Sequence, residues 1–165
     1  MRPLVLGLTK KTDYALLALT YLARSGNGDA VRTRKIAEVY DIPVELLAKV
    51  LQQLARSGIL HSAPGPSGGY LLARPPAEIT VGAVLEAVEG APALAQCLRS
   101  EQKDCEQVRR CTIRGPLARI NALVYRTLEA IPVSELVSDG NAVAISDIGA
   151  TERPATAVSV ARGAR

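Results

Sequence analysis

The feature that most constrains the fold is an amphipathic stretch that ends in glycine and leads directly into a breaker-rich hairpin. In PVELLAKVLQQLARSG, residues 43–58, apolar side chains recur at helical spacing: Leu47, Val50, Leu51 and Leu54. Gly58 follows at the position that ends many helices. Two short apolar runs, ILHS and YLLA, then flank APGPSGG. This arrangement predicts a helix followed by a β-hairpin with a long connection.

Two more helices are expected before this one. Thr9 is expected to cap a helix through KKTDYALLALTYLARSG, which ends at Gly26. Thr33 is expected to cap a short helix, RKIAEVYD, and Pro43 suits the first turn of the third helix. Helix, short helix, turn, amphipathic helix and hairpin is the element order of a winged helix-turn-helix. The sequence therefore predicts a mainly α fold with a small β-hairpin wing.

The second half of the chain predicts a separate helical unit. Thr80 is expected to cap VGAVLEAVEG, and GPLARINALVYRTLEAIPVSEL predicts one long helix. Its apolar stripe comprises Leu117, Ile120, Val124, Leu128 and Ile131. This stripe is expected to pack against a second copy of the chain, or alternatively against the first helix of the same chain. The expected organisation is a winged-helix domain (residues 1–76), a linker helix, cysteine segment and dimerisation helix (77–136), and a flexible tail (137–165).

Charge and polar patterning indicate double-stranded DNA as a partner. Residues 1–76 carry ten Lys/Arg against five Asp/Glu, whereas residues 77–165 carry ten against eleven. The polar face of the third helix is expected to enter the major groove with Glu45, Ala48, Lys49, Gln52 and Arg56. Phosphate contacts are expected from Arg32, Arg34 and Lys35, and a further DNA contact from His61 in the wing. We find no nucleophile–base pair or phosphate loop, so an enzyme is not expected.

All three cysteines lie in one polar segment: Cys97, Cys105 and Cys111. The chain has no apolar run of roughly 20 residues and no leader pattern, so a cytoplasmic location is expected, where thiols stay reduced. There, three cysteines favour a metal or redox role over a structural disulfide. A structural zinc with His61 as fourth ligand and a cluster-free thiol switch both remain open at this point.

The motifs together resemble those of a known family. LTKKTDYALLALTYLAR, PSGGYLLARPPAEITVGAVLEAVEG and the spacing C-x7-C-x5-C are similar to winged-helix iron–sulfur transcriptional regulators of the IscR and NsrR type, over roughly residues 6–136. The branch that regulates SUF iron–sulfur assembly genes is the most similar. The resemblance implies a homodimeric DNA-binding regulator that senses iron–sulfur status, redox or NO. It also implies an iron–sulfur cluster, [2Fe-2S] in preference to [4Fe-4S], bound by the three cysteines.

The resemblance leaves two possibilities for the fourth ligand. IscR-like proteins use a histidine three residues after the last cysteine, but this sequence has Arg114 there, which cannot ligate iron. NsrR-like proteins use an aspartate of the first-helix motif TD-x-AL from the other subunit, and Asp13 occupies that position. Asp13 is also an ordinary first-turn acid that the helix dipole would favour.

Overall fold

The protein folds as a string of helices interrupted by one hairpin. The computed structural model describes residues 8–25, 28–65, 68–90, 93–98, 107 and 110–137. Along these residues the elements are α1 (Lys10–Ser25), α2 (Thr33–Tyr40), α3 (Val44–Arg56), β1 (Leu60–Ala63), β2 (Gly69–Leu72), α4 (Val81–Glu89), α5 (Arg114–Ala130) and α6 (Val133–Val137). The predicted mainly α winged-helix fold is confirmed. Of the expected tail, residues 137–165, Val137 is the last residue of α6, and residues 138–165 lie outside the described residues.

The core forms where α1 and α3 face each other. It contains one buried stripe from each helix: Ala15, Ala18, Leu19 and Leu22 from α1, and the predicted Leu47, Val50, Leu51 and Leu54 from α3. Ile36 and Ala37 of α2 and Val84 of α4 join the same cluster. Burying one such leucine contributes about 1.5–3 kcal/mol. Apolar burial on these helices therefore fixes the orientation of α3, whose polar face has to point outward.

Two helix boundaries follow directly from local sequence. At the end of α3, Gly58 has φ 74°, its N–H donates to the Ala55 carbonyl at 3.1 Å, and the Ile59 N–H donates to the Leu54 carbonyl at 3.0 Å. These are the two hydrogen bonds of a Schellman motif. At the start of α4, the Thr80 hydroxyl oxygen accepts from the Ala83 N–H at 3.1 Å. Both predicted boundaries are confirmed.

Two other predicted helix starts are wrong by one residue. Thr33 is the first residue of α2, and the cap position belongs to Arg32, which makes no side-chain cap bond. Pro43 is the cap residue of α3, with an extended backbone at φ −56° and ψ 121°. Its carbonyl accepts from the Leu46 N–H at 3.0 Å. A proline ring fixes only φ, and the same φ suits both a cap and a first-turn position.

The wing is held against the body of the protein by a contact that the sequence does not indicate. β1 and β2 pair antiparallel, with Leu60 opposite Leu72. Val31, just before α2, forms a bridge to Tyr70 through two backbone hydrogen bonds of 2.9 Å. A Cβ at Gly69 would lie 2.3 Å from the Val31 carbonyl oxygen, so this close approach requires glycine. The hairpin is thereby fixed beside the start of α2.

The prediction of one long C-terminal helix is wrong, because the helix breaks at Pro132. Ile131 is extended (φ −94°, ψ 109°), as expected for a residue that precedes proline. The extended segment runs beside the start of α4: the Val81 N–H donates to the Ile131 carbonyl at 2.8 Å, and the Val133 N–H donates to the Ile79 carbonyl at 2.7 Å. Val133 is fully buried and begins α6, which packs against α1.

Helix α5 packs along α4 and leaves its apolar side open. A Cβ at Gly82 would lie 2.9 Å from the Glu129 backbone nitrogen, so the two helices touch closely there. Farther along, the Tyr125 hydroxyl donates to Glu86 at 2.7 Å. Within the described part of the chain, no residue of α5 is buried, and Ile120 and Leu123 are 50% and 62% exposed. None of the helices in these ranges is long and apolar enough to span a bilayer.

Candidate functional site

The outward face of α3 presents the polar stripe expected from the sequence. Because Leu47 and Leu51 anchor the opposite side in the core, this face lies toward solvent. Four members of the stripe are exposed and Ala48 is half-buried among them; the exposed ones are Glu45, Lys49, Gln52 and Arg56. The surface combines donors, an acceptor and a small apolar residue, which are the groups that contact base edges in a major groove.

Two further groups of residues that were predicted to contact DNA lie on elements next to α3. Arg32, Arg34 and Lys35 at the start of α2 are exposed, and together with Tyr21 and Glu38 they line a groove of about 530 Å³. His61 is exposed on β1, opposite Leu71 in the wing. The structure therefore places a cationic patch and the hairpin on the same unit as α3, with the Val31–Tyr70 bridge joining the two.

A basic groove between α1 and α3 was not predicted from the sequence. It has a volume of about 460 Å³ and is lined by Lys10, Lys11, Tyr14, Leu46, Lys49, Val50, Gln52, Gln53 and Arg56. Every charged residue among these described lining residues is cationic. The pair KK at the start of α1 was the only available signal, because the other wall of the groove comes from a helix more than 30 residues later in the chain.

Hydrogen bonds join the first turn of α1 to the last residue of α4. The Thr12 hydroxyl donates to Glu89 Oε1 at 3.3 Å, and the Thr9 hydroxyl donates to the same oxygen. The Thr12 N–H lies 3.5 Å from Thr9 Oγ1, at the limit of the expected cap bond. Asp13 follows in the same turn and is exposed, lining a groove with Tyr40 and other residues of α1 and α6. The turn that carries Asp13 is thus fixed to the element that precedes the cysteine segment.

The cysteine segment connects the end of α4 to the start of α5. Cys97 lies in a 3₁₀ turn, Gln96–Leu98, and Cys111 lies just before α5; both are free, half-buried thiols. Cys105 lies outside the described residues. The Leu94 N–H donates to Asn121 Oδ1 at 2.8 Å, which attaches the start of the segment to α5. Arg114, at the position where a histidine would ligate, is exposed and offers no lone pair to a metal.

The cysteine thiols of this segment are chemically suited to bind an iron–sulfur cluster. Thiolates are the usual protein ligands of such clusters, and Cys97 and Cys111 are unbonded thiols in the segment between two helices. Among the described residues, no three His, Cys, Asp or Glu side chains of one chain lie together as a metal-binding group. His61 belongs to the wing, whereas Cys97 and Cys111 lie on the two sides of the cysteine segment next to α5.

Known proteins resemble this chain over most of its length. A family model described as "Rrf2: Iron-dependent Transcriptional regulator" matches residues 8–139. The transcriptional regulator NsrR of Shouchella clausii is 32% identical over 130 residues, which cover 79% of this chain and 87% of that protein. IscR of Serratia proteamaculans is 29% identical over 140 residues, with 85% and 84% covered. The structure of CymR, the global cysteine regulator of B. subtilis, matches with a TM-score of 0.63 at 23% identity and covers 83% of this chain and 100% of that one, a likeness of fold alone.

Proposed function

The chain belongs to the Rrf2 family of transcriptional regulators, and from that premise we propose that it binds a promoter operator as a homodimer and senses iron–sulfur status, redox or NO through a cluster held by its cysteines. The observation that carries the DNA-binding part is the exposed polar face of α3, which is rigidly supported by the core and bordered by cations. The sensing part rests on the three cysteines and on the resemblance of their spacing.

The roles on DNA divide between base contacts and backbone contacts. Lys49, Gln52 and Arg56 donate to base edges, Glu45 accepts from cytosine, and Ala48 contacts a thymine methyl. Arg32, Arg34 and Lys35 contact phosphates and so set the position of α3 without reading sequence. His61 approaches DNA from the wing. Exposure of the charged members of this set supports the assignment.

The proposed homodimer is supported by the open face of α5. Ile120 and Leu123 are large, apolar and at least half exposed in the single chain. A helix with such a face gains free energy when a second copy covers it, and a two-fold dimer also matches two half-sites on DNA. Because α5 packs on α4 through Gly82 and Tyr125, the dimer contact would be connected to the DNA-reading unit.

The cluster would be held by Cys97, Cys105 and Cys111, with Asp13 reaching from the second subunit as the fourth ligand. A bound cluster supplies a redox-active centre that oxygen and NO can attack. A carboxylate is a hard donor and binds iron in such a cluster weakly, so ligation by Asp13 makes the cluster easy to lose. Asp13 is exposed at the start of α1, which leaves its carboxylate accessible to a second chain.

Cluster binding is proposed to order residues 91–114, which connect α4 to α5. This segment begins directly after Glu89 and Gly90 and ends at the dimer helix, so its conformation sets how the two reading units are spaced. Two half-sites one helical turn apart tolerate little change in that spacing. Loss of the cluster would therefore lower or retune operator affinity. The genes controlled are proposed, on the resemblance alone, to be iron–sulfur assembly genes of the SUF type.

A cluster-free thiol switch is the second candidate function. It is favoured by one observation: Cys97 and Cys111 are both free and half-buried, as thiols that react through a disulfide would be. A disulfide between two cysteines of the segment would also restrict residues 91–114. The two candidates predict different cofactor contents, which separates them experimentally.

The decisive experiment is purification without air, followed by absorption spectroscopy and counts of iron and sulfide. We expect a coloured protein with stoichiometric iron in the wild type and a colourless one in Cys97→Ser, while Ser62→Ala in the wing serves as the control that retains colour. Holo- and apo-protein are then compared on the promoter by gel shift, and different affinities are expected. A colourless, iron-free wild type after reconstitution overturns the cluster; an unchanged gel shift overturns the coupling.

A further inference from the structure

The groove between α1 and α3 has a composition suited to a polyanion. Lys10 and Lys11 form its outer wall, and Lys49 and Arg56 of α3 stand opposite. Both lysines of α1 are exposed, and so are the two cations of α3. Tyr14, Leu46 and Val50 add apolar surface to the lining. Four cations along one groove raise the local potential for negative charge well above that of a scattered basic surface.

The groove shares one wall with the proposed base-reading face. Lys49, Gln52 and Arg56 belong both to the outward stripe of α3 and to the lining of this groove. Any duplex that seats its major groove on α3 therefore brings one sugar–phosphate strand next to Lys10 and Lys11. The first turn of α1 is also fixed in place, because Thr9 and Thr12 donate to Glu89.

The spacing along α1 fits contacts with both strands. The cationic patch of Arg32, Arg34 and Lys35 meets α1 at Tyr21, ten residues after Lys11. Ten residues of helix correspond to about 15 Å, comparable with the width of a major groove of about 12 Å. The two basic patches therefore border α1 at points about 15 Å apart along its axis, a separation of the same order as that between the two backbones of the groove that α3 enters.

We propose that Lys10 and Lys11 contact DNA phosphates, so that the groove between α1 and α3 binds the sugar–phosphate strand on the side of α3 away from Arg32. This inference rests on the proposed DNA-binding function. The two lysines position the protein without reading bases. Their contribution is therefore the same on every sequence and decreases with salt concentration.

The test measures binding of the full chain by fluorescence anisotropy across a series of KCl concentrations. The probes are a random-sequence duplex and a duplex of the region upstream of its own gene. In the double variant Lys10→Ala, Lys11→Ala, the slope of log K against log salt is expected to fall by about 3.6 for the bound dimer, since four lysines are lost and each phosphate contact contributes about 0.9. Affinity for the two duplexes is expected to fall by the same factor.

Two controls define the outcome. Lys10→Arg, Lys11→Arg keeps the charges and should keep the slope, and Arg119→Ala, Arg126→Ala removes two charges from α5 and should change it much less. Both lysines are exposed, so circular dichroism should show an unchanged fold. An unchanged slope, a fall equal to that of the α5 variant, or a loss confined to the upstream duplex overturns the phosphate contact. If the wild type binds neither duplex, the proposed function itself fails.

Discussion

Helices α3 and α5 have similar sequence patterns but opposite environments. α3 has 13 residues and buries Leu47, Val50, Leu51 and Leu54. α5 has 17 residues and an equally regular apolar stripe, yet none of its residues is buried in the described structure. The single chain thus buries the apolar face of α3 in its own core, whereas it leaves the apolar face of α5 open. The contrast teaches that periodicity predicts a helix and its apolar face, but not which molecule covers that face.

The two helices are also held by different forces. α3 is anchored by aliphatic packing, whereas polar contacts contribute to the attachment of α5. Its Tyr125 hydroxyl donates to Glu86, and this hydrogen bond, with partial burial and the nearby Glu129, raises the pKa of Tyr125 far above its ordinary value. Such contacts set orientation more than they add stability.

The largest expected effect is on the free energy of unfolding, when one leucine is truncated to alanine in each helix. Leu51→Ala should lower the free energy of unfolding by about 2–5 kcal/mol, because it leaves a cavity in a closed core. The matched change Leu123→Ala, at a residue that is 62% exposed, should cost well under that at concentrations where the chain is monomeric. Urea unfolding followed by circular dichroism measures both. Equal losses at high dilution would contradict the contrast.

The next effect concerns self-association. Ile120→Glu with Leu123→Glu should weaken dimerisation by roughly 30-fold or more, since interface hot spots contribute about 2 kcal/mol or more. Ala118→Glu is the control, because it is exposed and lies on nearly the opposite side of α5. Sedimentation velocity over a concentration series measures the dissociation constant. A wild type that stays monomeric, or two variants that behave alike, would remove the dimer from the proposal.

The smallest expected effect is the loss of stability when a threonine at the start of α4 or of α2 is replaced by alanine. Thr80→Ala should cost about 1 kcal/mol of stability, because the Thr80 hydroxyl accepts from the Ala83 N–H at the start of α4. Thr33→Ala should cost only a few tenths, since the helix-cap position beside it belongs to Arg32. Both changes remove a threonine at a helix start, so thermal unfolding of the pair isolates the cap bond. A larger loss for Thr33→Ala would show that the cap assignment is reversed.

Local rules were sufficient at two helix boundaries that a single turn determines. The end of α3 at Gly58 and the start of α4 at Thr80 depend on residues at most five positions apart, and both predictions are confirmed. The start of α2 was wrong by one residue, because Thr33 and Arg32 are both compatible with a helix start until Tyr70 pairs with Val31. Sequence neighbours carry no information on that pairing.

Predictions that depended on distant partners fared less well. The stripe through Ile131 continued the helical period past Pro132, a local breaker that the period alone does not register, and the distant pairing with Ile79 and Val81 then holds the segment extended. The groove at Lys10 and Lys11 was missed because its second wall is α3. The metal-ligand roles of Cys97, Cys105, Cys111 and Asp13 stay predictions, as does the expected domain boundary after residue 76, which the buried cluster crosses with Val84 and Val133.

The attachment of α5 along α4 has a mechanical consequence. The contacts occur in antiparallel sequence, with Gly82 beside Glu129, Glu86 bonded to Tyr125, and Leu94 bonded to Asn121. The C-terminal end of α5, near Ala130, is held by the backbone hydrogen bonds of Ile131 and Val133, so it acts as the pivot of the helix. The N-terminal end, near Arg114, extends beyond the Leu94–Asn121 contact. For a helix of 17 residues, about 25 Å long, a tilt of about 5° moves the tip by about 2 Å. Cys111 precedes that tip, so a shift of about 2 Å around the thiol corresponds to a tilt of about 5° of the whole helix, with the displacement decreasing toward Ala130.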